Sequence, residues 1–131
     1  MKRSTSVPPR PTHAELEILQ VLWHRGPSSV REVQEALSES RAAGYTTVLK
    51  LMQIMARKGL VVRDERERTH VYRAAHAQEQ TQRQLVADLL ERAFDGSASK
   101  LILQALATRR ATPAEMDEIR RMLDQAQRRS S

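Results

Sequence analysis

The sequence contains no cysteine and only four aromatic residues. The lack of cysteine excludes disulfide bonds, thiolate metal sites and a thiol nucleophile. Long apolar runs are missing as well, since none approaches the roughly 18–20 residues that a membrane-spanning helix needs. The basic start, Met1-Lys2-Arg3, continues into polar residues and proline rather than into the apolar segment of a signal peptide. We therefore expect a protein of the cytoplasm.

Patterns typical of catalysis are missing too. The sequence has no glycine-rich phosphate loop and no nucleophile motif. Its histidines lack the close helical spacing with which such residues hold a metal ion. They are His13, His24, His70 and His76. The sequence thus predicts a binding protein rather than an enzyme, with no metal and no other cofactor.

The positive charge is concentrated in the first part of the chain. Lys and Arg number 22 against 16 Asp and Glu, which gives a net charge of +6. Residues 1–75 hold 13 basic and 8 acidic side chains, whereas residues 76–131 hold 9 and 8. Because a basic surface attracts polyanions, a polyanionic partner is expected to bind the N-terminal part.

Composition and apolar spacing divide the chain into three segments. Residues 1–11 are rich in proline and polar groups and are predicted to form a disordered arm. Residues 12–75 are predicted to form three helices closed by a β-hairpin, a winged helix-turn-helix domain that binds DNA. Residues 76–131 carry further helical patterns and are predicted to form a dimerisation domain. The expected fold is mainly α with a small β-hairpin.

Several helix starts carry a capping box, in which a Ser or Thr and a Glu three residues later satisfy each other's backbone N–H groups. This spacing begins at Thr12, Ser29 and Thr112. The first helix then presents an apolar face, for which helical spacing predicts Leu16, Leu19, Leu22 and Trp23.

The third predicted helix, from Tyr45 to Gly59, carries polar side chains opposite its apolar face. Thr46, Lys50, Gln53 and Arg57 lie within about 60° of one another around the helix axis. Such side chains contact phosphates and base edges in DNA. The alternative is an ordinary solvated face. The position of the helix, third of three and followed by a basic hairpin, favours nucleic-acid binding.

Tyr45 has two interpretations: it either donates a hydrogen bond to a phosphate or covers the start of the third helix.

Residues 60–63 and 70–73 are β-prone and flank a charged tip. In that hairpin Arg66 and Arg68 are candidate phosphate contacts. Acidic residues alternate with these arginines, so a mixed-charge solvated turn is the alternative.

The C-terminal segment predicts helices over about residues 77–94 and 100–107 and from Thr112 onwards. About 55 residues of such helices have little chance of closing a core alone. Their apolar stripes are therefore expected to meet a second copy of the chain. The predicted dimer contacts are Leu89, Leu101, Ile102, Leu106, Met116, Ile119 and Leu123.

Four short segments together carry a family resemblance: HAELEIL (13–19), VLW (21–23), YTTV (45–48) and KGLV (58–61). With them the chain resembles the BlaI/MecI family of penicillinase repressors over about residues 12–123. The resemblance implies a dimeric winged-helix repressor that binds palindromic operators in front of β-lactam-resistance or other stress genes. It also implies that Thr46, Thr47 and Lys50 face the DNA groove.

The resemblance further implies that a membrane-bound sensor metalloprotease ends repression by cutting between about Lys100 and Leu106. The Asn-Phe pair that is cut in staphylococcal members aligns with Gln104-Ala105, so these two residues mark the candidate cleavage region without fixing the bond. Ile54 stands where a basic residue is often found, and the operator sequence is therefore not carried over. The cysteine tail of the copper-responsive relatives is missing, which argues against copper sensing.

The main prediction is a DNA-binding transcriptional repressor that acts as a homodimer through its third helix and wing. The alternative is a winged-helix protein-interaction module without specific DNA binding, in which the basic face serves only solubility. RNA binding is less favoured, because the four aromatic residues form no visible stacking platform.

Overall fold

The computed structural model describes residues 9–40 and 42–130, and these residues form six helices and one β-hairpin. The predicted mainly α fold with a small hairpin is confirmed. Of the arm predicted for residues 1–11, positions 1–8 lie outside the described residues. The helices are α1 (His13–Arg25), α2 (Val30–Ser38), α3 (Tyr45–Lys58), α4 (Gln78–Ala93), α5 (Ala98–Thr108) and α6 (Pro113–Ser130), and the strands are β1 (Val61–Asp64) and β2 (Val71–Ala74).

All three predicted capping boxes form. At the start of α1, the Glu15 N–H donates to Thr12 Oγ1 at 3.2 Å and the Thr12 N–H donates to Glu15 Oε1 at 2.9 Å. The same reciprocal bonds begin α2 at Ser29 and α6 at Thr112. Each box satisfies two backbone donors that a helix start leaves without an intrahelical acceptor.

The hairpin begins one residue later than predicted on both strands. The strands are antiparallel, with Val61 opposite Ala74, so Leu60 and His70 lie outside them. The Leu60 N–H donates to the Met55 carbonyl at 2.9 Å. Leu60 therefore completes the end of α3 rather than beginning β1.

A loop strengthens the hairpin from the helical side. Between α1 and α2, Ser28 exchanges two backbone hydrogen bonds with Tyr72 of β2, at 2.9 Å and 2.8 Å. The Tyr72 side chain is buried. The hairpin is thereby fixed to the three helices instead of projecting freely from them.

One apolar core joins α1, α2, α3 and the hairpin. On α1 the structure buries Ile18 fully along with Leu19 and Leu22, whereas Leu16 and Trp23 are only partly buried. Because α1 packs against α2, α3 and β2, its buried face is wider than a single arc. The remaining buried apolar residues are Val30, Val33, Leu37, Val48, Met52, Met55, Leu60, Val61 and Tyr72.

The described residues divide into two compact units, with the boundary between Ala87 and Asp88 inside α4. The first unit contains the core. In the second, neither α5 nor α6 contains a buried residue. The domain boundary predicted between residues 75 and 76 stays a prediction. No helix within the described ranges combines the length and the apolar character needed to cross a membrane.

Candidate nucleic-acid interface

Helix α3 separates an apolar face from a polar one. Val48, Met52 and Met55 are buried in the core, and this fixes the rotation of the helix about its axis. The side chains on the opposite side are exposed, as helical geometry requires. They are Thr46, Thr47, Lys50, Gln53 and Arg57.

The exposed side chains of α3 are not engaged within the molecule. In the described part of the chain, none of these five residues forms a side-chain hydrogen bond or an ion pair. Their donors and acceptors are therefore free for an external partner without the loss of an internal contact. Five such side chains along one helical face form a surface that can contact phosphates and base edges in a major groove.

Lys58, at the end of α3, has a different role from its neighbour Arg57. Its Nζ donates to both carboxylate oxygens of Glu15, at 2.7 Å and 2.9 Å. The Glu15 side chain is only 3 % exposed. This pair, in which the carboxylate is buried and the lysine is partly exposed, joins the end of α3 to the start of α1, so Lys58 fixes the helix that presents the polar face.

Tyr45 is partly exposed at the start of α3 and is covered by Arg31 of α2. The Arg31 guanidinium carbon lies 5.2 Å from the centroid of the Tyr45 ring, a cation–π arrangement. Neither sequence interpretation of Tyr45 included this contact. The two residues form a platform at the N-terminal end of the polar face.

The arginines of the hairpin differ in their partners. Arg66 donates three side-chain hydrogen bonds to the Asp64 carboxylate, at 2.7–3.1 Å, and Arg63 pairs with Glu65. Arg68 forms neither a hydrogen bond nor an ion pair among the residues described. The hairpin is therefore partly the mixed-charge turn that was the alternative, with Arg68 as its free cation.

A cleft of about 650 Å³ lies between α2, α3 and the hairpin. We call it the wing cleft. It brings Arg31, Arg63 and Arg68 together with Tyr45 and Gln53. The other lining residues are Ser29, Val30, Leu49, Thr69, His70 and Tyr72.

Two smaller hollows adjoin α3. One, of about 480 Å³, contains Gln53, Arg57 and Arg63 together with Ala56 and Glu65. The other, of about 240 Å³, is lined by Thr46, Thr47, Lys50, Leu51 and Ile54. The polar face is thus bounded by concave surfaces on both sides.

The candidate DNA contacts predicted from the sequence include neither Arg31 nor Arg63, although both line the wing cleft. No spacing rule relates α2 to the hairpin, so their meeting at one cleft depends on tertiary packing. The one available signal for Arg31 was its position two residues after the Ser29 cap, at the exposed start of α2.

The predicted dimer contacts lie in the helices that lack a core. Leu89, Ile102, Leu106 and Leu123 are exposed, whereas Leu101, Met116 and Ile119 are partly buried. Three further apolar residues of α4 to α6 are exposed and are not among the predicted contacts: Val86 (43 %), Leu103 (63 %) and Met122 (53 %). Met122 lies three residues after Ile119, a spacing that could have identified it, but Leu103 falls off the predicted stripe.

The candidate cleavage region, Gln104 and Ala105, lies within α5, and both residues are exposed. The histidines do not converge on a common site. Within the described ranges, no group of three or more His, Cys, Asp or Glu side chains is arranged to hold a metal ion.

The solved structures that are similar to this chain include two of the repressor BlaI. The solution structure of the DNA-binding domain of the repressor BlaI matches with a TM-score of 0.49 and 24% identity, covering 61% of this chain and 93% of that one. The solution structure of the monomeric form of Bacillus licheniformis BlaI, in complex with the blaP half-operator, also matches with a TM-score of 0.49 and 24% identity. It covers 55% of this chain and 88% of that one.

Sequence similarity extends further along the chain. The transcriptional regulator BlaI of Mycobacterium tuberculosis, in strains CDC 1551 and H37Rv, is 34% identical over 110 residues. That match covers 83% of this chain and 79% of the relative. The family model of the penicillinase repressor matches residues 11–125. The resemblance predicted from the sequence is confirmed, and the chain belongs to the penicillinase repressor family, a family of transcriptional repressors and not of enzymes.

Proposed function

We propose that this repressor binds a palindromic DNA operator as a homodimer, with α3 in the major groove and the hairpin against the backbone. The polar face of α3 is the observation that carries the proposal, because its five exposed side chains have no hydrogen-bond or ion-pair partner within residues 9–40 and 42–130. A half-operator is bound by the Bacillus licheniformis BlaI to which the chain is similar. Operator binding would place the action of this protein in the cytoplasm.

The proposed interface assigns distinct roles to the exposed residues. Thr46, Thr47 and Gln53 reach base edges, where Thr contacts a thymine methyl group and Gln pairs with adenine. Lys50 and Arg57 contact guanine or phosphate. Tyr45 and Arg68 contact the backbone beside the groove, and Arg66 joins them to the extent that it is released from Asp64.

Dimerisation is the second part of the proposal. A helix with apolar side chains around most of its surface needs cover, and α5 exposes Ile102, Leu103 and Leu106 in the single chain. A second copy of the chain would supply that cover. Two linked winged units then bind two half-sites with an affinity that one unit lacks, and the half-sites lie one or more turns of roughly 34–36 Å apart.

Relief of repression would act on the same helices. A protease needs an extended segment, whereas Gln104 and Ala105 are held in α5. Cleavage there, by a membrane-bound sensor metalloprotease, therefore requires local unfolding of α5 and would separate the two winged units. The loss of avidity would release the operator.

The test of DNA binding is a fluorescence-anisotropy titration of the full chain against the DNA upstream of its own gene and a scrambled duplex. We expect preference for the upstream DNA. For roughly 6–10 phosphate contacts, the affinity falls on the order of 10³–10⁵-fold between 50 and 200 mM salt. Binding that ignores sequence would support the protein-interaction module instead.

The polar face is tested by Lys50→Ala combined with Arg57→Ala. This variant should bind the operator at least about tenfold more weakly, since it loses two charge-assisted contacts. Its dimer mass by light scattering should be unchanged. Arg83→Ala, an exposed change on α4 away from this face, is the matched control. Equal affinity of the double variant and the wild type would remove α3 from the interface.

A further inference from the structure

The wing cleft concentrates positive charge against a wall without carboxylates. Arg31 reaches it from α2, Arg63 from β1 and Arg68 from the hairpin tip. None of the eleven lining residues is acidic. Arg63 is paired with Glu65, but Arg31 and Arg68 have no carboxylate partner among the described residues, so the cavity is electrostatically suited to an anion.

The Arg31 side chain is positioned before any ligand arrives. Its guanidinium lies over the Tyr45 ring at 5.2 Å. A cation–π contact is an electrostatic attraction to the ring and occupies no hydrogen-bond acceptor, so N–H donors of Arg31 remain for a ligand. A guanidinium held in this way loses less side-chain entropy when it donates two parallel bonds to a phosphate.

The other two arginines retain donors. Arg68 has neither a hydrogen bond nor an ion pair in the part of the chain that the structure describes. Arg63 interacts with the Tyr72 hydroxyl and pairs with Glu65, but a guanidinium has five N–H donors, and one hydroxyl and one carboxylate accept only some of them. Thr69, His70 and Gln53 add further polar groups to the same wall.

We propose that the wing cleft is a phosphate-binding site whose principal ligands are Arg31, Arg63 and Arg68. Two sources share this chemistry: a phosphodiester of the operator backbone, which rests on the function proposed above, and a free phosphorylated ligand. A backbone phosphate bound here would also fix the register of α3 in the groove, because Gln53 of α3 lines the same cavity.

The first arm of the test uses the full chain and its operator DNA. Arg31→Gln should weaken binding at least about tenfold and lower the slope of log affinity against log salt by about 1. Preference for operator over scrambled DNA should persist, because a phosphate contact carries no sequence information. Arg83→Gln makes the same charge change outside the cleft and should alter neither quantity.

Neutral methylphosphonate groups, placed at one operator phosphate at a time, identify the bound position. At the phosphate that the cleft binds, a methylphosphonate should weaken DNA binding by the wild type. It should not weaken DNA binding by Arg31→Gln any further, because that variant has already lost the contact. Arg68→Gln is a second variant for the same cycle. It removes a side chain that forms no hydrogen bond or ion pair among the described residues, so its fold should be intact even if the loss of the Arg31–Tyr45 contact disturbs Arg31→Gln.

The second arm needs no operator and so separates failure of the cleft from failure of the proposed function. Inorganic phosphate is titrated into the full chain at constant ionic strength, with chloride as the balancing anion, while the arginine Nε–H resonances are followed by NMR. Saturable shifts of Arg31 and Arg63, weakened in Arg68→Gln, are expected for a phosphate site. If one methylphosphonate position and the loss of an arginine have non-additive effects on DNA affinity, the site binds the DNA backbone. If phosphate saturates the resonance shifts without such non-additivity, the site binds a free phosphorylated ligand. If neither occurs, the proposal is wrong even where the operator binds.

Discussion

Lys58 and Glu15 illustrate how one ion pair supports the interface from inside the molecule. Burial raises the pKa of Glu15, but the Lys58 ammonium group and the Thr12 N–H outweigh burial, so the pKa lies below its ordinary value of 4.5. Glu15 is therefore charged at neutral pH. A carboxylate whose pKa is lower in the folded state stabilises that state above its unfolded pKa.

This direction gives a pH prediction. The contribution of Glu15 should be fully present above pH 4.5 and should be lost as the pH falls through the lower folded pKa. Glu15→Gln should therefore show a flatter decline of thermal stability below pH 4.5 than the wild type. At pH 7 it should lose about 1–3 kcal/mol, because Lys58 loses its partner. Thermal unfolding between pH 3 and 7 measures both.

Glu115→Gln is the control, since Glu115 has the same capping role at α6 but an exposed position. Its loss of stability at pH 7 should be smaller than that of Glu15→Gln, because it leaves no buried group without a partner. The double variant Glu15→Gln, Lys58→Met should be more stable than Glu15→Gln alone. It replaces the Lys58 ammonium group, which has lost its carboxylate partner, by an apolar side chain. A Glu15→Gln profile parallel to the wild type would exclude the pair as the origin of the effect.

Asp64 restrains Arg66 in the hairpin. The bonds that Arg66 donates lower the pKa of Asp64 to about 2, so this carboxylate stays charged at any working pH. Asp64→Asn should free Arg66 for phosphate, strengthen binding to operator and scrambled DNA alike by roughly 3- to 10-fold, and steepen the salt slope by up to about 1. Salt-dependent anisotropy titrations provide the measurement.

Glu67→Gln separates the release of Arg66 from the mere loss of a negative charge. It makes the same charge change in the same turn, and Glu67 has no ion pair within the described residues. Its effect on affinity should be smaller and its salt slope should match the wild type. If both variants behave alike, the Asp64–Arg66 pair has no specific influence on DNA binding.

Interactions between residues close in sequence account for most of the helix ends and helix faces that the sequence predicted. The three capping boxes and Gly59 set helix ends through contacts within a few residues, so Thr12, Ser29 and Thr112 were sufficient to locate them. The apolar period also predicted the rotation of α3, since Val48, Met52 and Met55 leave only one side for the polar stripe. The fold could therefore be inferred without knowledge of long-range contacts.

The parts that sequence reasoning missed depend on distant contacts. Ile18 is buried because α1 has neighbours on several sides, and no helical period shows how many neighbours a helix will have. Arg31 enters the wing cleft only because α2 packs near the hairpin. The pairing of Lys58 with Glu15 likewise joins residues 43 positions apart. It is a tertiary contact that no local pattern around Lys58 predicts.

Helix α5 allows the dimer interface to be tested by one substitution. Ile102→Asp should place an unpaired carboxylate in the proposed interface and shift the protein from dimer to monomer, as measured by sedimentation equilibrium. The winged unit should keep its thermal transition, since Ile102 lies outside its core. Gln104→Asp, on another side of the same helix, is the control. Retention of the dimer by Ile102→Asp would exclude this face.

The described residues form a packed winged unit and a second unit in which neither α5 nor α6 contains a buried residue. Thr81 is buried within the first unit, and the Trp23 indole N–H donates to the His76 carbonyl at 3.0 Å. Both contacts involve residues after Ala75. They indicate that the independently folding unit ends later in the chain than residue 75, the end predicted from the sequence.

A fragment of residues 1–87 should therefore fold and remain monomeric, whereas a fragment of residues 1–75 should be less stable by about 1–3 kcal/mol, the cost of removing the acceptor of Trp23 and the packing of Thr81. Denaturant unfolding and gel filtration measure these outcomes. Equal stability of the two fragments would support the earlier limit, and a dimeric 1–87 fragment would move the oligomer contact into the winged unit.

The contact between Trp23 and His76 gives this chain a built-in optical reporter. Trp23 is the single tryptophan of the sequence, so ultraviolet emission comes essentially from one indole at the junction where the hairpin gives way to α4. An event that loosens this junction, whether a ligand, a cut or a mutation, would expose the ring to water and shift its emission to longer wavelength. Loosening of the segment after the hairpin from α1, within the winged unit, can thus be followed without any attached dye.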